Sequence, residues 1–252
     1  MKDTFAKFYL PLIPLVLLVI VAEALSRYGI VARFILPPPS EIYESLINDA
    51  PEYLSATKET LSAALVGLVA AGLSGVLLAV IFSSSRMIEK ALYPYATFFQ
   101  TVPIVSIAPL LVIWFGFGFR TVVISAFIVS IFPVLANTFA GLAATDPALL
   151  DLFKLYGASR SAILFKLRLP QAVPQILTGL KISSGLAMIG AVIGEFIAGG
   201  GLGGVIDASR TQQRLDKVFA AVALASFSGL FLLFLLNLSS KLFLKKWKGS
   251  HE

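Results

Sequence analysis

Apolar residues in this chain come in long unbroken stretches, and charge is confined to the short segments between them. Six stretches, at 8–25, 61–82, 92–115, 121–142, 173–197 and 218–244, approach or exceed the roughly 20 helical residues that cross about 30 Å of hydrocarbon. Backbone groups in lipid must be satisfied within their own segment, so continuous apolar runs predict helices, whereas a barrel would need short alternating strands. The predicted fold class is all-α, a polytopic membrane protein of about six transmembrane helices, with residues 1–252 as a single transmembrane domain. An even number of spans puts both termini on one side. With the N-terminus inside, Arg27, Arg33, Lys58, Arg120, Arg210, Arg214 and Lys217 fall outside and the rest of the 20 basic residues fall inside. That bias predicts cytoplasmic termini.

Detail within the spans refines this picture. The first could pass for a signal peptide, since Lys2 and Lys7 precede it and Ala22-Glu23-Ala24 mimics a cleavage site, but a retained helix is favoured. After it, Pro37-Pro38-Pro39 stiffens the chain and Ser40 is placed to cap an amphipathic helix starting near Glu41, lying on the outer membrane surface. Ala63, Gly67, Ala71, Gly75 and Ala79 repeat a small residue at every fourth position, as do Gly190, Gly194 and Ala198, and Ala221, Ala225 and Gly229. Such stripes let helix backbones approach closely, within one chain or between two. The third span carries Pro94, Pro103 and Pro109 with Gln100, Thr101 and Ser106 among them. A broken polar span is a pathway wall or a kinked packing helix. Glu195, near the outer end of the fifth span, is costly at membrane depth, and a gate role and a structural role at a dimer interface both fit it.

Composition removes most chemistry. The 252 residues are 58% hydrophobic and 13% charged, about half the charge of a typical soluble domain. With no cysteine and one histidine, His251 at the C-terminal end, the chain offers no His cluster, thiolate metal site or Ser-His-Asp triad. The net charge of +6 is scattered at span ends, which argues against nucleic acid as a partner. No Gly-Lys dipeptide exists, so no phosphate-binding P-loop does. Gly199-Gly200-Gly201-Leu202-Gly203-Gly204 fits a dinucleotide fingerprint in spacing, but it follows a long apolar helix instead of a strand, and a flexible turn is the expectation.

The most polar internal segment is DLFKLYGASRSAILFKLRLP, from Asp151 to Pro170. Thr145-Asp146-Pro147 offers a cap followed by a first-turn proline, which predicts a helix from Pro147 with Leu149, Leu150 and Phe153 along one side. Gly157 breaks it and Ser159 caps a second helix, on which Ile163, Leu164 and Leu167 face together while Arg160, Lys166 and Arg168 stay wet. Such a knob suits either a partner's groove or the membrane surface. The segment resembles the cytoplasmic coupling loop of ATP-binding-cassette importer permeases, which has the form Glu-Ala-Ala, three residues, Gly, nine residues, Ile, one residue, Leu-Pro. Here Asp151, Gly157, Leu167, Leu169 and Pro170 hold those places, with Asp151-Leu152-Phe153 departing from Glu-Ala-Ala. Leu36-Pro37-Pro38-Pro39-Ser40-Glu41 and Trp114-Phe115-Gly116-Phe117-Gly118 are similar to segments of permeases for sulfonates, nitrate and taurine.

That resemblance, over residues 36–247, implies a type I importer permease fold and a role as the membrane subunit. It implies that 146–170 forms the coupling loop, with Asp151, Gly157, Ala158, Ser159, Arg160, Leu167, Leu169 and Pro170 docking on an ATPase. The implied partners are a second permease copy, two ATPase subunits, an extracytoplasmic solute-binding protein and membrane lipid. No cofactor is expected in this chain, ATP and Mg being bound by the ATPase subunit. Expected pathway residues are Gln100, Thr101, Ser106 and Glu195. The expected solute is a sulfonate-, nitrate- or taurine-like anion, or a thiamin-precursor or riboflavin-like compound. The rival is an ion-coupled secondary transporter or channel, which would show inverted repeats and several midplane charges.

Overall fold

A computed structural model describes residues 12–248. The regular elements among them are all helical: α1 Leu12–Arg27, α2 Pro39–Asn48, α3 Ala50–Ser83, α4 Arg86–Thr101, α5 Ile104–Phe115, α6 Phe119–Ala143, α7 Pro147–Leu155, α8 Arg160–Ile163, a π turn Leu164–Arg168, α9 Leu169–Ala198, α10 Gly201–Thr211 and α11 Leu215–Lys248. Among these residues, α3, α6, the continuous run Arg160–Ala198 and α11 are long and apolar enough to cross a membrane, and the bent pair of α4 and α5, counted as one span, makes a fifth. Residues 8–11 of the first expected span lie outside the described residues, and the rest of it, 12–25, falls within the 16-residue helix α1.

The core is built around α6. Small residues on α3 and α9 bring both helices against its backbone. A Cβ on Gly67 would lie 2.7 Å from Ala126 Cβ, and one on Gly190 would lie 2.8 Å from Ala126 Cα. Ala63, Ala71 and Ala79 are fully buried with them. The stripes on α3 and α9 therefore serve packing within one chain. The α11 stripe is looser, since a Cβ on Gly229 would meet Met188 at an ordinary 3.6 Å. Across the α6–α9 seam, Ser183 Oγ donates to Ser130 O at 2.6 Å, satisfying a hydroxyl where lipid offers no partner.

Four local expectations change. The third span is two helices meeting at 96°. Pro103 pushes Val102 into an extended conformation (φ −71°, ψ 119°), because its ring clashes with a helical predecessor, and the rod breaks there. Ser40 does not cap α2, whose N-cap is Pro38. Instead Glu23 of α1 accepts from Ser40 N–H at 3.0 Å and from Ser40 Oγ at 2.9 Å, so a carboxylate from another helix sits at the positive end of α2. Nor does α2 simply lie on the membrane surface: Ile42 and Leu46 pack against Tyr53, Ala220 and Ala221 of α3 and α11. The glycine cluster is a turn only at Gly199 and Gly200 (φ +79° and +85°), and α10 starts at Gly201.

Candidate functional site

The expected site residues fall at the α4–α5 break and at the two opposite ends of α9. At its N-terminal end, Asp146 Oδ1 accepts from Ala148 N–H at 2.8 Å and starts α7. The helix stops at Gly157 in the left-handed region, φ +72°, where only glycine is unstrained. Gly157 N–H donates to Lys154 O and Ala158 N–H to Phe153 O, so the last carbonyls of α7 are closed off locally. Ser159 Oγ then accepts from Ala162 N–H at 3.2 Å and starts α8. Asp151 pairs with Lys154 at 2.9 Å on an exposed face.

The second half of this loop is not a separate helix. Leu169 and Pro170 fall inside the continuous run Arg160–Ala198, so Pro170 sits in the first turn of α9 instead of marking a new entry. Leu167 is buried, while Arg160 is exposed. Arg168, expected to be wet, is half-buried: its Nε and Nη2 donate to Leu142 O at 3.1 and 2.9 Å, neutralising a carbonyl at the C-terminal end of α6. The exposed apolar residues form a tip instead, with Leu155 and Tyr156 each 85% exposed and Phe165 67%.

Gln100, Thr101 and Ser106 gather at the α4–α5 break. Gln100 lines a cavity of about 640 Å³ with Tyr95, Phe99, Trp114, Phe127 and Phe132. Thr101 turns its hydroxyl to Phe98 O at 2.8 Å, and Ser106 is exposed. Glu195 is not with them. It is fully buried at the far end of α9, where its Oε2 accepts from Thr60 Oγ1 and from Gly203 N–H, both at 2.9 Å. Leu202 N–H donates to Thr60 Oγ1 at 2.9 Å and Gly201 N–H to Glu59 Oε2 at 3.0 Å. Side chains from α3 and α9 thus satisfy the first three donors of α10. Glu59, Thr60 and the aromatic cavity wall were not singled out from sequence; an adjacent Glu-Thr pair near the outer end of a span was the available signal.

The model of the family described as the binding-protein-dependent transport system inner membrane component matches residues 66–249. The chain belongs to this family. It is 33% identical over 217 residues to the formylaminopyrimidine transport permease protein ThiX of Halalkalibacterium halodurans, covering 85% of this chain and 86% of that one. It is 29% identical over 245 residues to the putative aliphatic sulfonates transport permease protein SsuC of Bacillus subtilis, covering 96% and 88%. Its fold is that of a chain from a crystal structure of a bacterial ABC transporter involved in the import of the acidic polysaccharide alginate, with a TM-score of 0.64 at 18% identity over 95% of this chain and 98% of that one. As a member of the permease family it is a multi-pass inner-membrane subunit of an ATP-binding-cassette importer, without an ATP site of its own. Membership sets aside the ion-coupled transporter or channel.

Proposed function

We propose that two copies of this permease form the pathway of an importer, that residues 146–170 are the loop by which each copy docks an ATPase subunit, and that the termini are cytoplasmic. ATP and Mg belong to the ATPase, and an extracytoplasmic protein delivers the solute at the α10 end. The observation that carries this is the exposed tip Leu155-Tyr156 ahead of the Gly157 turn, next to exposed Arg160. Exposed large apolar side chains on a water-facing knob are stable when a partner groove covers them. ATP-driven closure of the ATPase pair would pull on α7, and the continuous run Arg160–Ala198 would carry that movement along α9, switching the pair between inward and outward states. The solute is a small sulfonate-like anion or a flat heterocycle, as the two relatives' names suggest.

Affinity purification of the tagged chain from its native membranes tests the loop. Wild type is expected to recover an ATPase subunit, and Leu155→Asp with Tyr156→Asp is expected to lose it while the permease itself stays monodisperse. Equal recovery by both forms would place the docking surface elsewhere.

A further inference from the structure

The hollow at the α4–α5 break has a chemistry that chooses between the two solute classes. The 96° turn at Val102-Pro103 splays α4 and α5 apart and leaves a cavity of about 640 Å³ between them and α6. That size lies within the range of small-molecule sites. Among the described residues its wall holds Tyr95, Phe99, Trp114, Phe127 and Phe132, one amide at Gln100, and no Lys, Arg, Asp or Glu. Two of the aromatic side chains are not tied up as core, Trp114 at 67% exposed and Phe99 at 69%, and α4 contributes no buried residue.

An anion entering this space would leave water for a surface to which the described residues bring no positive group, and an unpaired charge in an apolar site is strongly disfavoured. The hollow of about 700 Å³ at the C-terminal end of α9 is no better for an anion, because Glu52, Glu59 and Asp207 line it. A flat, uncharged ring meets the opposite conditions. It can stack on aromatic faces, and the Gln100 amide offers both a donor and an acceptor to a ring edge.

We infer that this cavity is the solute site of the permease and that it takes a neutral, planar nitrogen heterocycle, with Gln100 reading the ring edge and Trp114 and Phe99 as stacking surfaces. The inference rests on the assembly proposed above and adds to it that the second copy closes the open side of the cavity. Gln100 is then a specificity residue, because it is the one polar side-chain amide on an apolar wall.

The test uses the permease with its copurified ATPase in lipid nanodiscs, carrying Trp247→Phe so that Trp114 is the remaining tryptophan of the two in the chain. Riboflavin, a 4-aminopyrimidine and ethanesulfonate, the anionic probe, are titrated against Trp114 fluorescence, with absorbance correction. One of the two rings is expected to quench saturably and ethanesulfonate to leave the signal unchanged. Gln100→Leu should weaken ring binding about tenfold, the scale of one lost hydrogen bond. Gln100→Arg supplies the missing cation and should make ethanesulfonate bind. Saturable binding of ethanesulfonate and of neither ring to the wild type overturns the inference, as does binding of no probe by an assembly that retains its ATPase. Quenching of Trp114 by lipids brominated in the acyl chain, undisplaced by either ring, also overturns it by making lipid the occupant. Failure to recover an ATPase at all would instead remove the assembly on which the inference stands.

Discussion

Thr60 holds more of the outer end of this molecule than its size suggests. Its hydroxyl oxygen accepts the Leu202 N–H while its proton is within reach of Glu195 Oε2. Thr60→Val keeps the shape but leaves that buried N–H without an acceptor, a loss of about 1–3 kcal/mol. Thermal unfolding of the detergent-solubilised protein should show a lower midpoint for Thr60→Val and recovery for Thr60→Ser; equal midpoints would mean the hydroxyl does not hold α10. Gly201→Ala is expected to be worse, since the position has φ +53° and its Cβ would overlap the Glu195 carboxylate. None of this could be read along the chain. Thr60 and Glu195 are separated by 135 residues, and Thr60 and Leu202 by 142, so the composition of either segment carries no trace of the other. The task of Glu195 was open between gate and structural group for that reason, and the structure encloses it completely.

At the scale of elements, legibility follows range. The start of α7 at Asp146, the stop at Gly157 and the start of α8 at Ser159 each depend on hydrogen bonds spanning a few residues, and sequence anticipates all three. Arg168 was misplaced because its acceptor, Leu142 O, belongs to a different helix 26 residues back. The proline-rich third span was legible as broken, but its angle was not. Pro103 is the local cause of the break, so Pro103→Ala should permit Val102 to become helical and let α4 and α5 straighten. Spin labels at Tyr95 and Ile113 would be about 27 Å apart in one straight helix. A distribution that lengthens toward that value in Pro103→Ala is the expected result, and an unchanged distance would assign the bend to packing against α3 and α6 instead.

For the whole molecule, the decisive fact is that α6 is gripped from two sides by backbones. A Cβ on Gly190 would collide with Ala126 Cα, and main chain cannot yield as a flexible side chain can. Gly190→Val is expected to abolish a monodisperse folded protein. Gly185, on the same helix, has open space within 4 Å of its would-be Cβ, and Gly185→Ala should fold normally with a small gain from helix propensity. Size-exclusion profiles of the two variants check this; similar behaviour would mean the α6–α9 seam is not set by close approach.

The sequence by itself determined what depends on local pattern. Continuous apolar runs set the membrane class and the helices, because lipid forbids unsatisfied backbone, and the spacing from Asp151 to Pro170 carried the resemblance to a family whose model then matched residues 66–249. Small-residue stripes announced close packing without saying against what. Only the tertiary structure decided that α6 receives both stripes, that Glu195 and Thr60 close the start of α10, and that the α4–α5 break opens an aromatic cavity. Those features are made by side chains from segments far apart in sequence, so they exist only once the helices have found one another.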